Sequence, residues 1–334
     1  MKILAVDLGY SSVKVCYQDE NGVVSFEKFI SAVAQLPKDG VLDVDDDSVF
    51  NLGPSTYIIG DPALKVSRSL LLPLENFDDL KKIYPIIISY LLKKFENVEK
   101  CVIGLSLAFS DRADELLEYL YQELLIQDTN FFMLLPQGLA CRNIYSTYGL
   151  NIRTESRNRT KLENYIIADL GFLTADFSVI IKNKSSAGTA VGIPCGVIKI
   201  AYDLADYLFK NYAITASVKE CQNIIDSGGQ FQRRGRKMDL SKEVKEFSKK
   251  YIGDVLTSME NNYAEFLDAI DGVLILGGGG YIFKNYIIDE KDEDVIKEVE
   301  KHFSLNFLQI PEDLSEYYNA YAYLRFAEQK LNIK

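Results

Sequence analysis

Two aspartates, each closing an apolar run and each followed by Leu-Gly, carry the most informative chemistry in the chain. The first lies in Ile3-Leu-Ala-Val-Asp7-Leu-Gly9-Tyr10-Ser11-Ser12-Val13-Lys14. The second lies in Ile166-Ile-Ala-Asp169-Leu-Gly171-Phe172-Leu-Thr174-Ala-Asp176. A strand that stops at Asp-x-Gly puts a carboxylate at its carboxyl edge, and the glycine lets the backbone approach a phosphate. Ser11, Ser12 and their N–H groups can donate to phosphate oxygens, Lys14 can reach the same oxygens, and Asp7 can hold the hydration shell of Mg²⁺. In the second copy Thr174 and the backbone after Gly171 can grip phosphate, with Asp169 as a second candidate for the metal's water shell. Asp169 follows Asp7 by 162 residues, close to half of 334. Either turn alone could be a plain strand end. Two in equivalent context suit a nucleotide and its metal held in a cleft of a duplicated protein.

Two further segments could belong to the same chemistry. Gly277-Gly278-Gly279-Gly280 follows an apolar strand and precedes Tyr281. Four glycines leave no side chain to keep a flat base or ribose off the backbone, and a flexible loop is the plainer alternative. Pro136-Gln137 sits at a strand-to-helix junction between the two copies. A Gln there could orient an attacking water by hydrogen bonding without acting as a strong base; a capping or surface role is its ordinary alternative.

The elements that must position these residues are legible in outline. Residues 2–6 read as a buried strand, and 12–17 and 23–29 flank a hairpin turn at Asp19-Glu-Asn-Gly22. Residues 37–63 read as loop-rich, closed by a short strand at Tyr57. Helices are expected over 78–95 and 111–126, with strands at 101–107 and 131–135. Residues 151–161 read as an exposed basic loop. The second copy starts at Tyr165, turns near Asn183, and leads to helices over 197–210 and 241–270 with a strand at 272–276. A helix over 314–331 ends the chain.

Composition bounds the class. A chain of 334 residues suits two lobes of ~150 residues each. A net charge of −11 argues against broad, direct nucleic-acid binding, which needs clustered Lys and Arg. Five scattered cysteines without Cys-x-x-Cys spacing point to reduced, buried thiols. One histidine makes a zinc site unattractive. Asp7 interrupts the first apolar run, and the most apolar stretch, 83–92, is about half the length of a membrane span. The expectation is a soluble cytoplasmic chain without a membrane span.

The order Asp7-Leu-Gly9, Pro136-Gln137, Asp169-Leu-Gly171-x-x-Thr174-x-Asp176, Gly277–Gly280 resembles the actin-like ATPases, and most of all the ParM (StbA) plasmid-segregation type of bacteria and archaea. Tyr57-Ile-Ile-Gly60-Asp61-Pro62-Ala63 is similar to a phrase of that branch, and Tyr318-Asn319-Ala320-Tyr321-Ala322 looks like the second connector, where a small residue packs on the first connecting helix. The resemblance covers almost the whole chain. It implies an α/β actin-like fold of two duplicated RNase H-like lobes around a nucleotide cleft. Lobe I would span 1–162, with a small subdomain at about 31–80 and completion by 312–334; lobe II would span 163–311, with a small subdomain at about 200–265.

The resemblance further implies ATP, with GTP as an alternative, and Mg²⁺ near Asp7, Asp169 and Asp176. Gln137 would place the hydrolytic water; many ParM-like proteins carry Glu there and actin carries Gln, which bears on the rate of hydrolysis and not on the site. Gly9, Tyr10, Ser11, Ser12, Lys14, Gly171, Phe172, Thr174, Gly277–Gly280 and Tyr281 would contact nucleotide. Val218-Lys219-Glu220 resembles, weakly, the helix that touches base and ribose. The implied function is an ATPase that polymerises into homopolymer filaments for DNA segregation or cytoskeletal organisation, reaching DNA through an adaptor protein. A small-molecule kinase of the same superfamily and a non-polymerising nucleotide-gated adaptor are the rivals. Asp43-Val-Asp45-Asp46-Asp47 lacks the glycine and distal Glu of a calcium loop, and Arg233, Arg234, Arg236 and Lys237 read as a solvated loop or a contact for an acidic partner.

Overall fold

The chain was described from a computed structural model, which covers residues 1–37, 48–74, 76–148, 162–186, 188–233, 235–311 and 315–332. The acidic run 43–47, the basic loop 151–161 and Arg234 lie outside the described residues. Two compact units divide the chain: residues 1–147 with 316–334, and residues 148–315.

In the first unit, β1 (Ile3–Leu8) is buried along its whole length, which is why it shows no polar alternation. It pairs antiparallel with β2 (Ser12–Gln18), which pairs antiparallel with β3 (Val24–Ile30). The β2–β3 turn is built as its residues dictate: Asp19 Oδ1 accepts from the N–H groups of Asn21 and Val23, both at 2.8 Å, and Gly22 takes a φ of 80°. A small antiparallel sheet follows, of β4 (Val33–Leu36), β5 (Val49–Leu52) and β6 (Ser55–Ile59), with β6, the short strand expected at Tyr57, in the middle; β5 lies in the segment read as loop-rich. These strands are four or five residues long, too short for a period to stand out, and Gly53 at φ 56° closes the β5–β6 turn.

Helix α1 (Phe77–Lys94) starts where Asn76 accepts from the Asp79 N–H at 3.0 Å, and it carries acids in its first turn and lysines in its last. Then come β7 (Lys100–Leu105), α2 (Ala113–Glu123), β8 (Phe132–Pro136) and α3 (Cys141–Tyr148). The main sheet runs β3-β2-β1-β7-β8, parallel from β1 to β8.

The second unit repeats that plan. β9 (Tyr165–Leu170) pairs antiparallel with β10 (Ala175–Ile181), whose far side pairs with β11 (Lys184–Ser185) and β12 (Val191–Ile193). The two-residue β10–β11 turn has Lys182 and Asn183 both at positive φ, the signature of a turn whose twist matches the strands. Helices α4 (Ile198–Tyr212) and α5 (Val218–Asp226) follow. The stretch read as a basic loop is a β-hairpin, β13 (Gln230–Arg233) with β14 (Arg236–Asp239), and the Arg233 guanidinium donates to the Thr215 carbonyl at 2.8 Å. Then α6 (Ser241–Leu267), β15 (Gly272–Leu276), α7 (Gly277–Lys284), α8 (Glu293–His302) and β16 (Leu308–Gln309) complete it, in the sheet order β11-β10-β9-β15-β16. The tetraglycine is therefore the first turn of α7 and not a loop.

The last helix, α9 (Tyr318–Lys330), belongs to the first unit and packs on β1, β2 and β7. It is buried nearly all round, as a helix inside a core must be. Gly104 of β7 answers it: a Cβ there would lie 2.3 Å from the Tyr323 hydroxyl oxygen. All five cysteines are buried and free of disulfides. Among the described residues, no helix is long and apolar enough to cross a membrane.

Candidate active site

Asp7 is the last residue but one of β1, at the carboxyl end of the strand, and is buried. Its cross-strand partner on β2 is Lys14. Directly opposed residues share a face, and the Lys14 ammonium lies 3.7 Å from Asp7 Oδ2. The other carboxylate oxygen, Oδ1, accepts from Gln137 Nε2 at 2.7 Å. A carboxylate can only accept, so the atom Gln137 turns toward it is the amide nitrogen, leaving Oε1 as an acceptor. Asp7, Lys14 and Gln137, read separately from the sequence, thus meet.

Gln137 is held from behind. Its N–H donates to the Leu105 carbonyl at 2.8 Å, and Gly138 turns at φ 75°. The Asn319 side chain of α9, itself buried, accepts from the Gly138 N–H at 3.3 Å and the Cys141 thiol at 3.0 Å. Helix α9 therefore contributes a hydrogen-bonding Asn beside its small residues. Nearby, Tyr84 donates to the Gly104 carbonyl at 3.2 Å, and burial, with the Asp7 charge adding, pushes its phenol above the ordinary range. Tyr10 is half-buried; burial, with Asp79 adding, pushes its phenol up as well.

The second unit repeats this register with one change of charge. Asp169 is the last residue but one of β9, and its cross-strand partner on β10 is Asp176, seven residues on, as Lys14 is from Asp7. Both carboxylates are buried, at 5% and 3% exposure. Two like charges directly opposed in a ladder destabilise it, and a divalent cation removes that cost. The side chains fit a hard, oxygen-ligated ion such as magnesium.

Both Asp-Leu-Gly turns have their carbonyls held from outside. Ser31 donates its N–H to the Ser11 carbonyl at 3.1 Å and its hydroxyl to the Gly9 carbonyl at 2.5 Å. In the second unit the N–H groups of Gly196, Val197 and Ile198 donate to the carbonyls of Leu173, Gly171 and Phe172 at 3.2, 3.1 and 2.8 Å. Committed carbonyls leave N–H groups as the polarity that suits an anion, apart from the Gly171 N–H, which donates to the Thr174 carbonyl at 2.8 Å. Ser31 and Gly196 were not legible as site residues, because each acts across a distance in sequence and neither sits in a motif.

The four glycines separate by role. A Cβ on Gly277, at φ 76°, would lie 2.6 Å from Asp169 Oδ1; one on Gly279 would lie 2.5 Å from the Leu170 Cβ. These two let α7 start directly against the Asp169 turn. Gly280 is buried with ordinary contacts, whereas Gly278 is exposed and a Cβ there would meet nothing within 4 Å. Tyr281 is 42% exposed. Lys219 and Glu220 open α5, where the Glu220 carboxylate accepts from the Ser217 N–H and hydroxyl, both at 2.8 Å, closing a capping box. Among the described residues no group of three or more His, Cys, Asp or Glu is placed to hold a metal.

The topology of the chain has counterparts among solved structures. A fifteen-stranded ParM filament from Clostridium botulinum superposes with a TM-score of 0.70 at 18% identity, over 98% of this chain and 99% of that one. This chain has the actin-like fold. An archaeal actin homologue in complex with ADP matches this actin-like chain with a TM-score of 0.70 at 15% identity, over 98% and 100% of the two chains. Bacillus thuringiensis ParM with ATP gives 0.62 at 14% identity over 100% of each. Residues 167–289 match the family model of the archaeal MreB-like actin homologue, C-terminal. No curated protein sequence matches the chain.

Proposed function

We propose that this actin-like chain binds ATP with Mg²⁺, hydrolyses the γ-phosphate, and assembles into filaments that serve DNA segregation or cytoskeletal organisation in the cytoplasm, reaching DNA through an adaptor. The observation that carries the nucleotide reading is the shared register of Asp7–Lys14 and Asp169–Asp176, one pair with a cation for phosphate and the other with a second carboxylate for metal. Magnesium is ordinarily held by one or two carboxylates plus phosphates, so no larger acidic cluster is needed. When bound, it supplies neutralisation of the charge on the transferring phosphoryl group.

The residues of the chain do the rest. The N–H groups of the two turns and Lys14 bind phosphate oxygens. Gln137, fixed by its bond to Asp7, presents Oε1 to a water and orients it; an amide does not take the proton, so the role is positioning. Gln137→Ala is expected to lower kcat by roughly 10²-fold while the ATP affinity stays within a factor of about two. Equal loss of both in an isothermal titration and a phosphate-release assay sinks this assignment.

The exposed face of the α7 turn is the candidate base or ribose contact, and Gly278 tests it cleanly. Gly278→Ala should stabilise the chain by about 0.5–1 kcal/mol, because Ala loses less entropy in a helix. Gly278→Leu should fold normally and weaken ATP binding by about tenfold or more, some 1.4 kcal/mol. Undiminished binding by the Leu variant removes α7 from the site.

Likeness to a protein seen as a filament supports assembly. Sedimentation after adding Mg-ATP, Mg-GTP or Mg-ADP tests it. Turnover without sedimentation at any concentration or salt drops the filament, and turnover that requires an added metabolite makes the chain a kinase.

A further inference from the structure

Helix α6 carries two tyrosines that are each 2% exposed, Tyr251 and Tyr263. They differ in one respect. The Tyr263 hydroxyl donates to the Thr189 carbonyl at 2.7 Å, whereas the Tyr251 hydroxyl is buried with no hydrogen-bond partner among the described residues. A buried donor left unmade is costly, and a phenylalanine would fill the same space without it.

The position of that hydroxyl gives it a purpose. It lies 2.9 Å from the point a Gly279 Cβ would occupy, and the Leu170 carbonyl oxygen lies 3.1 Å from the same point. It therefore sits beneath the first turn of α7, beside the segment that carries Asp169. Asp169 Oδ1 borders the same turn, 2.6 Å from where a Gly277 Cβ would be. Burial, with Cys195 and Asp169 adding, keeps the phenol well above its ordinary value, so it stays a neutral donor. A single water reaching the phenol, the Leu170 carbonyl and the Asp169 carboxylate would have the two to four polar partners it needs.

We propose that Tyr251 is a positioning residue for Asp169, its hydroxyl donating toward the carboxylate through one ordered water and fixing the orientation in which Asp169 serves a magnesium–nucleotide. This rests on the nucleotide reading above. The partners that orient a metal-serving group typically govern affinity by 10- to 100-fold.

The test compares Tyr251→Phe with Tyr263→Phe in the full chain. For Tyr251→Phe, the magnesium concentration giving half-maximal ATP turnover should rise by about 10-fold, and the rise in melting temperature caused by Mg-ADP should shrink. Its melting temperature without nucleotide should stay close to that of the wild type. Tyr263→Phe should melt lower and keep the wild-type magnesium dependence and Mg-ADP shift. If the wild type turns over Mg-ATP and Tyr251→Phe shows the same magnesium dependence and the same shift, Tyr251 is only packing and the inference falls alone. A wild type that neither binds nor turns over Mg-nucleotide overturns the nucleotide reading and this inference together.

Discussion

Asp169→Asn is expected to cut magnesium-dependent ATP turnover by roughly 10²–10³-fold without lowering the melting temperature of the protein in chelator. The second half of that statement is the unusual one. Asp169 faces Asp176 across the β9–β10 ladder with both carboxylates buried. Removing one charge of an opposed like pair relieves up to about 1 kcal/mol.

Asp7→Asn, at the matching place in the first unit, should behave oppositely in stability. Asp7 faces Lys14 at 3.7 Å and accepts from Gln137, so its loss leaves a cation with only 12% side-chain exposure unpaired. That should cost roughly 1–3 kcal/mol. Urea denaturation in chelator, with the two variants side by side, reads the difference. Two variants that shift the midpoint in the same direction would remove the argument that the second pair is built for a cation.

Gly196→Ala is expected to destabilise the second unit by about 3 kcal/mol or more, a fall in melting temperature of roughly 6–12 °C. A Cβ at Gly196 would lie 2.1 Å from the Phe172 carbonyl oxygen and 2.4 Å from the Leu173 carbonyl carbon. Both are backbone atoms of the Asp-Leu-Gly turn, so no side chain can swing away to make room. Relief has to come from moving the turn, which breaks the donations from Gly196, Val197 and Ile198 that hold its carbonyls. Nucleotide affinity should fall with stability. Calorimetry of Gly196→Ala beside Gly278→Ala checks the point, since the latter adds the same methyl group into open space. Similar melting temperatures for the two would refute it.

Those two glycines show what sequence can and cannot carry. The strands that carry Asp7 and Asp169 were readable because buried runs, tight turns and the hairpins at Asp19–Gly22 and Lys182–Asn183 are local signals. The meeting of Asp7, Lys14 and Gln137 followed partly from local pairing and partly from resemblance, since Gln137 is 130 residues from the carboxylate it bonds. The strands β4 and β5 beside the expected strand at Tyr57, and the basic hairpin at β13–β14, stayed hidden, because strands of four residues are too short for a period to stand out. The helical state of the tetraglycine was not legible because glycine is a poor helix former. It forms a helix because two of its members must press against Asp169 and Leu170, a tertiary demand with no trace in local pattern. Ser31, Gly196 and Tyr251 act through geometry alone.

The burial of α9 against β1, β2 and β7 has a consequence for biosynthesis. A ribosome delivers all of the second unit before it delivers Asn319, the side chain that braces the turn bearing Gln137. Until then the first unit's sheet lacks the cover that Tyr323 and its neighbours provide opposite Gly104. Domains tend to fold as they emerge, so the second unit can mature during translation while the first waits for the last helix. In a nascent chain the turn that bears Gln137 is thus braced only after the second unit has been made.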